Sequence, residues 1–263
     1  MILATHGILA SGGTITYDSD ALAFITAAGI TNNTQKSAVN QLVLDLKSYS
    51  LWSKIKAIYP FVGGTASSHK WNLKDPRDLD VAFRLTFNGG GTHSSNGYTG
   101  GSNAYANTFL NTNTIGMSVN SLSIGFYATT NISDTNKMYM GASGLPESYT
   151  FINTTRLAMN TLSISTWTGY KIGLLVGNRT NSTQQIYYRN GVVDATFSAN
   201  SNINVNEPIF ILTRSTPGAI PGLEYYNGNC GLAFISDGLS TTENLNMYNA
   251  VQLYETTLGR EVI

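Results

Sequence analysis

Apolar residues recur at helical spacing only near the two ends of the chain. Ala21, Phe24, Ile25 and Ala28 follow the i, i+3, i+4, i+7 stripe of an amphipathic helix, with Asp18 or Ser19 placed to cap it and Gly29 to end it. Val39, Leu42, Val43 and Leu46 form a second stripe behind Asn33 or Thr34. Leu51, Trp52, Ile55 and Ile58 form a third, ended by Pro60, which disfavours helix at Tyr59. At the C-terminus, Ser240 and Glu243 make a capping box, and Met247, Val251, Tyr254 and Leu258 recur along one face before Gly259. Helices this short are marginal alone in water, so each is expected to lie on a neighbour or a sheet.

Between about Phe61 and Ile235 the period falls to two, in short runs separated by Gly, Asn, Ser and Thr. Strands are predicted at Phe83 to Phe87, Asn120 to Tyr127, Lys137 to Met140, Leu157 to Ile164 and Tyr170 to Val176. Two more are predicted at Ile209 to Thr213 and Gly231 to Ser236. Gln185 to Val193 reads as a hairpin whose Asn190-Gly191 supplies the two positive-φ residues of a type I′ turn. Many short strands predict a mainly β fold, an antiparallel sandwich or jelly roll with short N-terminal helices and a C-terminal helix. The expected division is a helical element over residues 1–60 and the sandwich with its terminal helix over 61–263.

Charge narrows the functions open to this fold. Of 263 residues only 11% are charged, 15 basic against 15 acidic, and Asn, Thr, Ser and 26 Gly stand in for the missing charge. This predicts a polar, uncharged surface with no basic footprint for nucleic acid. No run of 18 apolar residues is present to span a membrane. Met1 to Gly7 lacks a basic n-region, which predicts synthesis in a cytoplasm without a secretory leader. Cys230 is the sole cysteine, so intrachain disulfides are excluded. A small packing role is expected for it.

Catalytic and metal-binding patterns are weak. Glu147, Glu207, Glu224, Glu243, Glu255 and Glu261 are isolated, and no strand carries the paired carboxylates of a glycosidase. Asp75, Asp78 and Asp80 cluster around Pro76. They read as solvated turn carboxylates, with a calcium loop as the alternative. His6, His69 and His93 are scattered and are expected in loops or on the surface. Ser143 in Gly-Ala-Ser-Gly lacks the nucleophile-elbow pattern and reads as a turn serine. Gly89 to Gly91 and Gly100-Gly101 read as loop tips, and Trp167 as a core residue. The remaining candidate is the stretch Asn88 to Asn113. It reads first as a long hydrated loop, and its Tyr98, Tyr105, Thr92, glycines and asparagines also form the mixture with which uncharged surfaces bind sugars.

Two segments carry a resemblance. The hairpin Ile186-Tyr187-Tyr188-Arg189-Asn190-Gly191-Val192 and the closing stretch Tyr226 to Glu243 resemble concanavalin A-like and laminin-G-like jelly rolls. The whole order is similar to virion proteins of tailed bacteriophages: the helix at Asp18 to Phe24, Leu51 to Ala57, Tyr59 to Thr65, a lectin-like sandwich, and a terminal helix ending in Leu258-Gly259-Arg260. That resemblance implies a non-enzymatic structural component of a particle (tail, fibre or capsid surface), in contact with other virion proteins and assembled as a homo-oligomer. The alternative is a carbohydrate-binding module for a host surface glycan, which requires loop aromatics such as Tyr98 to be exposed over a groove. The resemblance supplies no catalytic, cofactor-binding or metal-ligating residues, and calcium stays the one cofactor open.

Overall fold

The computed structural model describes residues 16–145, 148–168 and 172–262. Met1 to Gly7 with His6, Glu147 and Tyr170 lie outside the described residues. Asp18 caps α1 (Ser19–Ala27) by accepting the Asp20 N–H at 2.9 Å, and the chain leaves through Gly29 at φ +64°. α2 (Asn33–Ser48) is capped one residue earlier than expected, by Asn32, which accepts the Gln35 N–H at 3.0 Å. Val39, Leu42, Val43 and Leu46 are its buried face, as the spacing predicts.

The third predicted helix does not form. Ser50 turns to φ +58°, the Leu51 and Trp52 N–H groups close onto Leu46 O, and the chain extends as β1 (Ile55–Tyr59). Ala57 and Tyr59 enter the core between the sheets while Ile55 and Ile58 face the helices. A strand buried on both faces is apolar almost throughout, and over so short a run it mimics helical spacing.

There follow α3 (Ala66–His69), a 3-10 turn at Asp80–Ala82, then β2 (Thr86–Asn88), β3 (Thr92–Ser94), β4 (Gly97–Thr99), β5 (Tyr105–Asn107) and β6 (Leu122–Ala128). Next come β7 (Met138–Gly144), β8 (Ser148–Asn153), β9 (Arg156–Thr161), β10 (Ser165–Thr166), β11 (Gly173–Arg179), β12 (Gln184–Arg189) and β13 (Val192–Ser198). The chain closes with β14 (Phe210–Ile211), β15 (Arg214–Thr216), β16 (Ile220–Pro221), β17 (Asn229–Ser236) and α4 (Thr241–Thr257). The first sheet runs β13-β12-β11-β6-β17-β4-β3, with β1 also pairing β17. The second runs β10-β9-β8-β7-β14-β5-β2, with β15 beside β7 and β16. Neighbours are antiparallel except β15 along β7. The two sheets make a mainly β sandwich with N-terminal helices and a C-terminal helix, the architecture expected.

Phe126, Tyr139, Ile152, Met159, Tyr187, Ile211 and Tyr226 fill the space between the sheets. Trp167 joins them, stacked 4.1 Å from Tyr187. On the outer face of the first sheet, α1, α2 and α4 form a second apolar layer, with Phe24, Leu42, Leu46, Met247 and Val251 against Tyr127, Leu174, Val176, Tyr188 and Phe234. Asn190 and Gly191 take φ +50° and +76° in the hairpin turn, as predicted. Ser240 and Glu243 close the capping box of α4.

Three expectations about the β region are corrected. The strand expected at Phe83 begins only at Thr86, because Phe83 stands at φ +61° and ends the 3-10 turn. Asn88 to Asn113 is not one long loop but holds β3, β4 and β5. Gly89 to Gly91 and Gly100-Gly101 do lie in the connections β2–β3 and β4–β5, as expected, and at Gly100 a Cβ would lie 1.9 Å from Tyr226 O, so close backbone approach demands glycine there. Ser143 lies within β7 and not in a turn; its Oγ donates to Ser215 O at 3.0 Å.

Candidate functional site

The stretch singled out for binding contributes one wall of a cleft at the end of the sandwich, and the way it does so differs from the expectation. Tyr98 is 1% exposed. It stacks on His93 (centroids 4.7 Å) and Phe61 (5.9 Å) beneath the β3–β4 hairpin, which excludes it as a platform for a ligand. The hairpin instead turns its hydroxyls and amides outward. Ser94, Asn96 and Thr99 line the cleft with Thr129 and Thr130 at the exit of β6, Asn229 at the entry of β17, and the tail Gly259 to Val262. The volume is about 410 Å³, within the range of small-ligand sites.

Asn229 organises this end. β17 pairs β4 with Asn229 opposite Thr99, and the Asn229 Nδ2 donates to Thr99 Oγ1 at 2.8 Å. Thr129 Oγ1 donates to Asn229 Oδ1 at 2.7 Å, and the Asn229 backbone N–H reaches Thr130 Oγ1 at 3.3 Å. One asparagine thus aligns three threonine hydroxyls, two through its side chain and one through its backbone N–H, each keeping acceptor capacity for a ligand.

The rear wall is charged but internally satisfied. Arg260 donates from Nε and Nη2 to the two Glu255 oxygens at 2.7 and 3.0 Å, and to the carbonyls of Phe61 (3.0 Å) and Gly231 (3.2 Å). Both side chains are within 2% of full burial. Burial pushes the Glu255 carboxyl up to about 7, against the pull of the guanidinium. Tyr254 Oη donates to Pro60 O at 2.8 Å, so the end of α4 is tied to the exit of β1.

The histidines expected apart or on the surface meet. His69 on α3 is 1% exposed, and its Nδ1 lies 3.0 Å from His93 Nδ1. The Gly64 N–H donates to His69 Nε2 at 3.2 Å. A neutral ring that accepts at Nε2 carries its proton at Nδ1, so His69 donates to His93. Burial, then the neighbouring His93 and Arg260, hold the His69 pKa down at about 3. Among the described residues no three His, Cys, Asp or Glu side chains are grouped to hold a metal ion. Of the acidic trio, Asp75 is held by Arg77, Asp78 by Lys70 and Arg84, and Asp80 by Arg84. Cys230 is fully buried, and burial raises its thiol pKa well above the ordinary value, in keeping with a packing role.

Sequence reading reached Ser94, Asn96 and Thr99 as part of the Asn88 to Asn113 stretch but not Thr129, Thr130 or the C-terminal wall. Asn229 falls in the closing stretch Tyr226 to Glu243, where the sequence marks the fold and not a site. These segments are brought together by the pairing of β17 with β4 and β6, for which local pattern carries no signal.

No protein-family model and no curated protein sequence matches the chain. Among solved structures it is similar to domain 4 of AbnA, an extracellular arabinanase from Geobacillus stearothermophilus, in complex with arabinotriose. There the identity is 15%, over 74% of this chain and 98% of that one, with a TM-score of 0.44. It is also similar to the botulinum neurotoxin type G receptor-binding domain (12% identity, 74% and 51% coverage, TM-score 0.42). A third likeness is to the serotype D binding domain (8%, 76% and 52%, TM-score 0.46). The chain spans about half the length of the two toxin domains.

Proposed function

We propose that the protein is a non-catalytic binding domain whose end cleft takes a neutral, hydroxyl-rich ligand of the carbohydrate class. The observation that carries this is the lining itself: Ser94, Asn96, Thr99, Thr129, Thr130 and Asn229, with the one buried charge, Arg260, already bound by Glu255. Such groups exchange hydrogen bonds with water for hydrogen bonds with sugar hydroxyls at a net gain of about 0.5–1.5 kcal/mol each. Glu261 is the single carboxylate in the lining, whereas glycoside hydrolysis uses two. With no aromatic in the lining, single-site affinity is weak, and useful binding comes from many copies acting together. An array of glycans and bacterial surface polysaccharides, with and without calcium, tests the reading. Saturable binding that Asn229→Ala and Thr99→Val both abolish is expected, and a blank array for the wild type overturns it.

A second reading, a structural component of a phage particle that assembles with copies of itself, draws on a different feature. β13 ends the first sheet, pairs with β12 on one side, and leaves Val192 and Val193 64% and 43% exposed. An extended edge with β-branched residues and one charge, Asp194, is a template for strand pairing. Sedimentation of the wild type and Val193→Lys tests it: self-association that the lysine abolishes is expected, and a monomeric wild type at high concentration overturns it.

A further inference from the structure

A second cleft, distinct from the polar one, lies between the start of β1 and the segment that follows Leu73. Ile55, Phe83 and Ile115 give it an apolar body, and Lys56, Lys74 and Asp75 surround that body. Its volume is about 450 Å³. Two of its three charges are already answered. Lys56 donates to Asp237 at 2.8 Å, and Arg77 grips both oxygens of Asp75. Lys74 is different. Its Nζ donates to Trp52 O at 2.8 Å and sits 4.4 Å from the Trp52 ring centroid, with no carboxylate among the described residues within ion-pair distance.

A partly buried ammonium without a contact ion pair is costly, and burial holds the Lys74 pKa below the ordinary lysine value against the attraction of Asp20, with Lys47 and Lys56 adding repulsion. Another lining residue, Phe83, is held in an unusual conformation for an aromatic residue, in the left-handed region at φ +61°, ψ 35°. Strain of that kind costs of order 1–3 kcal/mol and gathers at ligand sites. Ile115 is 37% exposed at the mouth, so the apolar body opens to solvent.

We propose that this cleft binds a small free monocarboxylic acid, its apolar body against Ile55, Phe83 and Ile115 and its carboxylate on the ammonium of Lys74. The cleft admits a chain of several carbons at the stated volume, and the acid supplies the contact ion pair that Lys74 lacks among the described residues. The charge match, and not the apolar wall alone, selects an acid over an alcohol or an amine of the same length.

Titration of the full chain with octanoate and with octan-1-ol, followed by amide chemical shifts, tests this. Saturable shifts centred on Ile55, Phe83 and Ile115 are expected, with octanoate bound at least tenfold more tightly than the alcohol. Lys74→Gln, which keeps a donor for Trp52 O, is expected to remove that preference and leave the alcohol unchanged. Ile115→Asp, at an exposed position that leaves folding intact, is expected to abolish octanoate binding. Equal affinity for acid and alcohol overturns the proposal, as do shifts centred elsewhere or an octanoate affinity unaltered by Lys74→Gln.

Discussion

The two sheets are both covered on their outer faces, but by different chemistry. Over the first sheet, three helices lay an apolar layer on Tyr127, Leu174, Val176, Tyr188, Leu232 and Phe234. Over the second, the apolar cluster is small, Met138, Phe151 and Ala158. The side chains around it are polar: Arg214 sits 5.8 Å from the Phe151 ring centroid and donates to Ser143 Oγ at 3.0 Å and to Glu224 Oε1 at 3.2 Å. Inside the sandwich Thr150, opposite Met159 in the β8–β9 ladder, donates from Oγ1 to Asn160 Oδ1 at 2.7 Å, and Asn160 Nδ2 reaches Val119 O and Asn204 Oδ1. Between the sheets, fully buried Arg179 donates to the carbonyls of Met159, Asn181 and Ala199. The amides and hydroxyls that replace charge in this composition are therefore used inside the fold as well as on its surface. Buried polar groups with fixed partners specify one arrangement, because any other leaves them unpaired.

The largest expected effect breaks the exception on the helical side. Arg260→Met leaves Glu255 buried without its cation and is expected to cost about 3–5 kcal/mol in urea unfolding. Adding Glu255→Leu is expected to recover part of that loss. Phe234→Ala opens a cavity in the apolar layer, where Phe234 lies against Gly125, and is expected to cost about 3–5 kcal/mol. Among the buried polar groups, Asn160→Ala strips three partners and is expected to cost about 1–3 kcal/mol. An Asn160→Ala loss as large as that of Phe234→Ala would erase the distinction between apolar and polar burial.

Acidification acts on the histidine pair. The folded pKa of His69, about 3, lies below the unfolded value of 6.5, so its stabilising contribution is full above pH 6.5 and is lost as pH falls toward 3. Between pH 7 and pH 5 the loss is about 2 kcal/mol. Glu255, raised to about 7, works in the opposite direction over the same range, which favours the fold as pH falls toward 4.5. The difference in stability between wild type and His69→Gln, measured at both pH values, isolates the histidine. The smallest effect belongs to Ser240→Ala, expected to cost about 1 kcal/mol through loss of the cap on α4.

What the sequence makes legible follows the range of the forces involved. The caps at Asp18 and Ser240, the stripe on α2 and the Asn190-Gly191 turn are local, and each is found where the spacing places it, the α2 cap falling one residue early. β1 was misread because its apolar positions serve two layers at once, which only the tertiary fold distinguishes. β8 (Ser148–Asn153) carries no clean alternation, since Thr150 and Asn153 are buried polar residues, each with a side-chain partner ten or more positions away, Asn160 and Asn136. Tyr98 reads as a loop aromatic because its burial depends on stacking with His93 across the β3–β4 hairpin and with the distant Phe61, which local spacing does not show.

Cys230 sits where β17 meets both β4 and β6, beneath the polar cleft, with no exposed surface. A thiol so placed meets a water-borne reagent only when that three-strand junction parts. The chain therefore carries a single internal chronometer. The rate at which Cys230 is modified counts openings of the junction that aligns Asn229, and a ligand held in the cleft slows the count.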